Sequence, residues 1–400
     1  MKPNKLIFLA VLLRVFFAAL FYHPDIKSQY YQSGFFTQGV INIYSYISQN
    51  KSQLPYTDTF NYPPLVYFFL GSWHKVATVI AGPDLTAWLS DWGSRALFHP
   101  NIFLNLLVLK FPYLIAEIYL LKILINFGRS EDEKSKIKWL WLFNPFVFYC
   151  VYAIGQFDIL PSLTTVVALN MAIKKQFTRS ALVLGLGAAL KTYPILLLPI
   201  VVFSNSGWKQ RLVTLAAGLL VMFIPMLPFL GSTEFRASVL GSSLGQRIFA
   251  SGFTVSDQRV IFFVVAYVIL VANYAKKPEQ RLILPSFTAV TLLIILLSQF
   301  HIQWLVWLLP FFTLFISRSR QFLTFSLFIF FSALGLNLLL KDQFVAIGLF
   351  SALNPHLGTI PPLVAFVTPP PDLTLFSSII RSTLVAFGLL FIKEMYDVKS

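Results

Sequence analysis

The chain has 400 residues, of which 57% are hydrophobic and only 12% are charged. Soluble domains carry roughly a quarter charged residues, so this composition excludes an ordinary soluble domain and indicates a lipid environment. The single cysteine, Cys150, excludes an internal disulfide framework and argues against a cysteine-based metal site. The net charge of +15 would suggest nucleic acid in a soluble protein, but here we expect it to reflect membrane orientation, with no nucleic-acid partner.

Long apolar runs recur from residue 6 onward, and many are about as long as a helix that crosses roughly 30 Å of hydrocarbon. Backbone polar groups in lipid must bond within their own segment, so these runs predict helices. We predict an all-α, polytopic transmembrane helical bundle with about 11 to 13 membrane helices. The predicted crossings are residues 6–22, 104–126, 139–154, 159–173, 180–190, 193–203, 212–230, 260–275, 282–298, 303–317, 321–340 and 374–392.

Short basic connectors lie between the apolar runs, among them residues 127–138 and the pair Arg318 and Arg320. By the positive-inside rule they are predicted to be cytoplasmic, together with both termini. The longer, less basic segments are then predicted to lie on the opposite, outer face: 23–61, which is expected to carry short helices, 231–257 and 341–373.

Two further features bear on the topology. Four tryptophans near the ends of apolar runs are predicted to form interfacial belts: Trp139, Trp141, Trp304 and Trp307. Residues 62–82 could span a membrane, but the following stretch, 83–103, carries several charged residues, so a hairpin or re-entrant element is predicted there.

The sequence contains no fixed-period repeat and no low-complexity linker. We therefore predict one integral membrane unit over residues 1–400. Within it, 23–61 is an outer loop, 104–203 are core helices and 204–400 are variable C-terminal helices.

Polar residues gather at those helix ends that are predicted to be on the outer face. Such residues are costly at membrane depth unless they face a cavity, so they are candidates for a functional site. The candidates are Asp25, Gln156, Asp158, Lys191, Tyr193, Arg247, His301 and Gln303.

This group suits sugar transfer from a lipid-linked phosphosugar. The carboxylate of Asp25 can act as the base for an acceptor hydroxyl. The leaving group is a phosphate that already carries negative charge, so it needs cations and hydrogen-bond donors, a role open to Lys191, Arg247 and His301.

Each candidate also has a purely structural interpretation. Asp25 can be a loop acid, Asp158 a helix cap, Lys191 a side chain that snorkels to the interface, and His301 a partner for a backbone carbonyl. Glu117, within the run 104–126, can pair with Lys110 or Lys122 inside the bundle.

Several segments nevertheless follow one another as in a known family. They are Asp25, Asn61-Tyr-Pro-Pro-Leu65, Lys110-Phe-Pro-Tyr-Leu-Ile-Ala-Glu117, Trp141-Leu-Phe-Asn-Pro145, Gly155-Gln-Phe-Asp158, Gly187-Ala-Ala-Leu-Lys-Thr-Tyr-Pro194 and Gln303-Trp-Leu-Val-Trp-Leu-Leu-Pro310. On these motifs the chain resembles multi-pass glycosyltransferases of the GT-C class that use polyprenyl-phosphate sugars. The GPI mannosyltransferase that adds the first mannose and the dolichyl-phosphate-glucose-dependent glucosyltransferases are the nearest likenesses, over residues 10–315 or so.

The resemblance implies a GT-C type fold and an inverting hexosyltransferase whose site faces away from the cytoplasm. By position, Asp25 would act as the base or beside it, Asp158 and Lys191 would line the site, and His301 or Gln303 would lie near the donor phosphate.

The chain also departs from these families. Asp25 is followed by Ile26 and Lys27 and not by a second acid, and Asn61 stands where the glucosyltransferases carry an acid. No cofactor is therefore expected, and a divalent metal is possible but not favoured.

The expected partners are a polyprenyl-phosphate sugar, with mannose favoured, a glycan or glycolipid acceptor, and membrane lipid. A multi-pass protein of the plasma membrane is favoured, with the endoplasmic reticulum membrane as the alternative. A polytopic transporter or a lipid-linked-glycan flippase is the alternative function, because broken helices and intramembrane charges also occur in transporters.

Overall fold

The computed structural model describes residues 3–56, 58–299, 301–340, 342–366 and 373–397. About 78% of it is helical, and the strands found in this part of the chain form one antiparallel hairpin. In this hairpin, β1 (Gly252–Val255) pairs with β2 (Gln258–Ile261). The predicted all-α class is confirmed.

In the described residues of the first half of the chain there are ten α-helices. They are α1 (Pro3–Leu20), α2 (Pro24–Gly34), α3 (Ile43–Asn50), α4 (Pro64–Ala81), α5 (Asp84–Ser90), α6 (Ile102–Ile125), α7 (Glu131–Leu142), α8 (Pro145–Val147), α9 (Ile159–Ile173) and α10 (Phe177–Leu190). A π-helix, Phe148–Ala153, continues α8. The predicted short helices in 23–61 are therefore α2 and α3.

The second half adds nine helices to the described structure. They are α11 (Leu198–Phe203), α12 (Trp208–Phe223), α13 (Thr233–Phe235), α14 (Ser243–Gln246), α15 (Phe262–Lys276), α16 (Ile283–Leu297), α17 (Leu309–Ile316), α18 (Arg320–Leu338) and α19 (Leu373–Asp397). Short 3₁₀-helices link many of them, including Tyr193–Leu197 before α11 and Ile302–Trp307 before α17. Lys191 lies between α10 and the 3₁₀-helix Tyr193–Leu197, and its backbone is extended. The predicted break at Lys191–Pro194 is therefore confirmed.

Four helices in the described chain are long and apolar enough to cross a membrane. They are Trp208–Phe229, Gln280–Leu297, Arg320–Leu338 and Leu373–Asp397. A fifth span is possible if Lys5–Leu20 and Pro24–Gln38, which meet at 76°, count as one broken span. These helices indicate a membrane protein.

The predicted number of about 11 to 13 membrane helices is not confirmed. Several predicted crossings form apolar helices of only 10–17 residues, for example Ile159–Ile173 and Phe262–Lys276, whereas a straight crossing needs about 20 residues. The predicted crossings 139–154 and 303–317 are each divided into shorter helical pieces. Apolar sequence here therefore also serves burial within the protein: α16 is buried on every side from Ile283 to Leu296.

A hairpin or re-entrant element was predicted within residues 62–103, and the structure has the long helix α4 there, followed by the short helix α5. Helix α4 is continuous and packs on α6, and the short α5 packs on α2 and α4. Lys27 of α2 holds this return in place, because its Nζ donates to the carbonyl of Asp91 at 2.7 Å and lies 4.6 Å from the ring centre of Trp88. This contact involves the backbone of Asp91, and the charged side chains of Asp84 and Arg95 in the same stretch are exposed.

A buried ion pair fixes α1 against α6. The guanidinium of Arg14 donates to both carboxylate oxygens of Glu117, at 2.6 and 2.7 Å, and Trp141 and Tyr152 donate to the same carboxylate at 2.6 and 2.5 Å. The predicted pairing of Glu117 with a lysine of its own helix is therefore wrong. Side chains on one helix meet at a spacing of three or four residues, and neither lysine stands at that spacing from Glu117.

The predicted division into two faces agrees with how the helix ends are grouped. Segments predicted to be outer, such as 23–61 and 231–257, contribute to one cavity. Basic connectors lie at another end, where Arg318 pairs with Glu133 at 2.9 Å. The residues 1–2 and 398–400, and Lys341 with 367–372 of the predicted outer segment 341–373, lie outside the described residues, and the side of the membrane stays a prediction.

Candidate functional site

A cavity of about 640 Å³ opens among the helix ends that carry the predicted site residues. This volume is within the range of about 300–1,000 Å³ that small-molecule sites occupy. Five predicted residues line it: Asp25, Lys191, Tyr193, His301 and Gln303. The other three predicted residues contact these side chains, so the structure brings the whole predicted set together. We call this space the site cavity.

Asp25 is held at the first turn of α2. Pro24 occupies the first helical position, where its lack of an N–H is harmless, and the ring Nδ1 of His23 accepts the backbone N–H of Asp25 at 3.2 Å. A carboxylate at a helix N-terminus is also stabilised by the helix dipole. The side chain of Asp25 is 47% exposed, so it is available to a ligand in the site cavity.

Gln156 positions the carboxylate of Asp25 through a hydrogen bond. Its side-chain oxygen accepts a hydrogen bond from Gln29 at 2.8 Å, and its amide nitrogen donates to Oδ2 of Asp25. Because the oxygen end is already engaged by a donor, the amide of Gln156 is oriented with its N–H groups toward Asp25. Gln29 also donates to the hydroxyl of Tyr62 at 3.2 Å.

The turn that presents Gln156 requires glycine. Gly155 has φ +73°, a conformation that other residues adopt with strain, and a β-carbon added there would lie 2.6 Å from Cε of Lys110. The fully buried Lys110 donates to the carbonyls of Phe21, at 2.6 Å, and Tyr152, at 2.7 Å. It therefore ties the segment before Asp25 to the segment before Gln156.

Asp158 and Lys191 form the charged pair of the site cavity. Nζ of Lys191 lies 2.6 Å from Oδ1 of Asp158, and the indole N–H of Trp307 donates to the same oxygen at 2.8 Å. Asp158 precedes α9 but makes no side-chain cap bond, so the helix-cap interpretation is wrong. The ammonium of Lys191 points to a buried carboxylate and only 15% of the side chain is exposed, which also overturns the snorkelling interpretation.

Stacked aromatic rings contact this pair of charged residues. Tyr193 stacks on Trp307 with ring centres 4.0 Å apart, and Trp307 stacks on Trp304 at 4.8 Å. Trp304 and Trp307 were predicted to be interfacial, as was Trp141, yet all three are buried. The belt prediction is wrong for these three residues, because their indoles pack against other side chains instead of lipid headgroups.

His301 contacts a cation rather than a backbone carbonyl. Its Nε2 lies against the guanidinium of Arg247. Burial lowers the pKa of His301 to about 4, and the positive charges of Arg247 and Lys191 act in the same direction, against the opposite effect of Asp25 and Asp158. His301 is therefore neutral near pH 7, and its Nε2 accepts the hydrogen bond of the arginine.

Some residues that line the site cavity were not among the predicted candidates. His23 lies between two carboxylates, with Nδ1 3.6 Å from Oδ1 of Asp25 and Nε2 3.9 Å from Oδ2 of Asp342. Asp342 follows α18, far along the chain, and no local pattern links it to the first loop. Tyr62 belongs to the Tyr-Pro-Pro motif, and burial together with the charges of Asp25 and Asp158 raises the pKa of its hydroxyl, which therefore keeps its proton.

Among the described residues, no group of three or more His, Cys, Asp or Glu side chains is arranged to hold a metal ion. No protein-family model matches the chain, and no curated protein matches it either. The resemblance to GT-C glycosyltransferases therefore stays a prediction.

Proposed function

We propose that this chain is an inverting glycosyltransferase that moves a hexose, with mannose favoured, from a polyprenyl-phosphate sugar to a glycan or glycolipid acceptor. The observation that carries the proposal is the site cavity itself. Its lining combines a half-exposed carboxylate, Asp25, with the ammonium of Lys191 and with His301, which the guanidinium of Arg247 contacts from outside the lining. Asp25, Lys191 and His301 therefore all face the same volume of about 640 Å³.

In the proposed reaction, Asp25 takes the proton of an acceptor hydroxyl while that oxygen bonds to C1 of the donor sugar. The bond between C1 and the phosphate oxygen breaks, and its electron pair leaves with the polyprenyl phosphate. The acceptor attacks from the face opposite the phosphate, so the configuration at C1 inverts. This step needs no cofactor.

Lys191 and Arg247 would stabilise the negative charge on the departing phosphate, which is where fixed cations contribute most. Neutral His301 has an N–H on Nδ1 to offer when Nε2 accepts from Arg247. The stacked rings of Tyr193 and Trp307 give the cavity an apolar wall suited to the isoprenoid or to a sugar face. Gln156 would hold the carboxylate of Asp25 in place through its oriented amide.

A transfer assay on purified protein tests the proposal. Polyprenyl-phosphate-linked mannose, glucose, galactose and arabinose are offered with a mixture of glycolipid acceptors to wild type, Asp25→Asn and Asp257→Asn. Asp257 is an exposed carboxylate in the turn of the β-hairpin and serves as the matched control.

We expect wild type and Asp257→Asn to consume one donor, and Asp25→Asn to be slower by at least about 100-fold, because general-base catalysis contributes about 10²–10⁴. A fully active Asp25→Asn would remove Asp25 from the mechanism. If no donor is consumed or bound and the protein supports counterflow of lipid-linked glycans in liposomes, the transporter alternative replaces the proposal.

A further inference from the structure

A second cavity lies at the far end of the same helices. Asp158, just before α9, pairs with Lys191 of the site cavity, and Ile173 at the end of α9 lines the second cavity. Helix α16 likewise has Ile294 at one cavity and Leu284 at the other. At 1.5 Å per residue, the 15 residues of α9 separate the two cavities by roughly 22 Å. The volume of the second cavity is about 760 Å³.

Positive charge dominates the lining of this second cavity. Among the described residues, its lining includes Arg129, Lys174, Arg281 and Arg318 and no acidic residue. We call it the basic cavity.

The nearby acids compensate only part of this charge. Glu133 accepts from Arg318 at 2.9 Å, and Glu279 pairs with Arg281. Within the part of the chain that the structure describes, the side chains of Arg129 and Lys174 have no carboxylate at ion-pair distance. The basic cavity thus has an excess of positive charge that is open to an anion.

The basic cavity also lies where membrane-length helices end. Gln280–Leu297 and Arg320–Leu338 begin beside it, and Leu373–Asp397 ends there with Met395 and Tyr396 in the lining. Its deeper lining is apolar, with Phe127, Phe315 and Phe322 among the contributing side chains. A ligand that fits both parts carries a negative headgroup and an apolar body.

We propose that the basic cavity binds a phosphate group, the source being the headgroup of an anionic membrane phospholipid or a free phosphate-bearing solute. Cationic pockets between membrane helices on the cytoplasmic side commonly hold anionic lipid headgroups. This inference is independent of the proposed glycosyl transfer, because it uses neither the site cavity nor any of its residues.

Binding to the detergent-solubilised full chain tests the inference. Native mass spectrometry measures the affinity for dioctanoyl phosphatidylglycerol and dioctanoyl phosphatidylcholine in wild type and in the double variant Arg129→Gln/Lys174→Gln. Both side chains are exposed, so the fold is expected to be retained. The double variant Lys138→Gln/Lys209→Gln loses the same charge outside the lining and is the matched control. A parallel titration with inorganic phosphate competes against the bound lipid.

Wild type should prefer phosphatidylglycerol, and Arg129→Gln/Lys174→Gln should lose roughly fivefold in that affinity for each removed cation, while the control changes less than twofold. Competition by inorganic phosphate would support a site that takes any phosphate-bearing solute, and resistance to it would support a lipid site. Equal affinities in wild type and Arg129→Gln/Lys174→Gln, or equal losses in the control, would overturn the inference.

Discussion

Gly155 and Lys110 are in direct contact, and the contact leaves no room for a side chain at residue 155. A β-carbon there would meet Cε of Lys110 at 2.6 Å, and the backbone has φ +73°. The same lysine bonds the carbonyls of Phe21 and Tyr152. The position of Gln156 relative to Asp25 therefore depends on this contact.

Gly155→Ala should destabilise the protein by about 1–3 kcal/mol, because alanine is strained at this φ and pushes against a buried side chain. Transfer activity should fall as well, since Gln156 and Asp25 separate. Thermal unfolding in detergent measures the first effect and donor consumption the second. Gly231→Ala is the control, because nothing lies within 4 Å of a β-carbon at that position; a similar loss in both variants would contradict the interpretation.

Arg14→Leu should cost about 3–5 kcal/mol, because it leaves the buried carboxylate of Glu117 without its cation. The double variant Arg14→Leu/Glu117→Leu should recover part of that loss, since no buried charge remains. Unfolding of the two variants and wild type in detergent gives the comparison. If the double variant is less stable than Arg14→Leu, the hydrogen bonds of Glu117 with Trp141 and Tyr152 matter more than its charge.

Lys191→Ala should raise the donor KM or lower kcat, because the proposed phosphate partner is lost. It should also destabilise the protein, since Asp158 stays buried with its charge. The variant Lys191→Met/Asp158→Asn separates the two effects. It should regain stability but not activity, whereas a return of activity would show that Lys191 acts only through the fold.

The stability of the protein should fall on acidification between about pH 6.5 and pH 4 through His301. Its pKa is lowered to about 4 in the folded protein from an unfolded value of 6.5, so in this window the unfolded chain binds the extra proton and stability rises with pH. Melting temperatures across this range should therefore change less in His301→Gln than in wild type. The variant His356→Gln, at an exposed position, is the control. If the melting temperature of His301→Gln depends on pH as strongly as that of wild type, His301 is not the cause.

Cysteine labelling tests the predicted orientation. In a Cys150→Ala background, Lys51→Cys in the segment 23–61 should react with an impermeant thiol reagent added from outside. Lys209→Cys should react only after the membrane is permeabilised. Both positions are exposed in the structure, so access through the protein is not limiting. The reverse pattern would invert the topology.

The grouping of the site residues was predictable because a helix places its two ends on opposite faces. Alternating basic and non-basic connectors therefore indicate which ends lie together, and Asp25 and Lys191 were assigned to one face on that ground alone. Gln156 and Asp158 were assigned to the same face on the same ground, and the resemblance to a known family points to the same two residues.

The rest of the site depends on packing, which a single sequence does not show. An apolar helix that faces lipid and one that is buried in protein have similar compositions: α16 is buried by its neighbours and is also apolar enough to be a possible span, so composition alone does not determine the number of spans. The contact of His23 with Asp342 joins distant parts of the chain, and no local pattern reports it. The sequence around Trp307 suits a tryptophan at the membrane interface as well as one in a site. Only the structure shows that its indole N–H donates to Asp158.

The direction of the amide chain behind Asp25 has a consequence for proton release. The amide nitrogen of Gln29 donates to Gln156 as well as to the hydroxyl of Tyr62, and Gln156 in turn donates to Asp25, so this row presents an N–H and not an acceptor to the carboxylate. Amide groups do not pass protons on, and a proton that Asp25 accepts therefore has no way back through these two glutamines. In the proposed transfer, this proton would leave by the exposed side of the carboxylate, where water that enters after the product departs would reset the base.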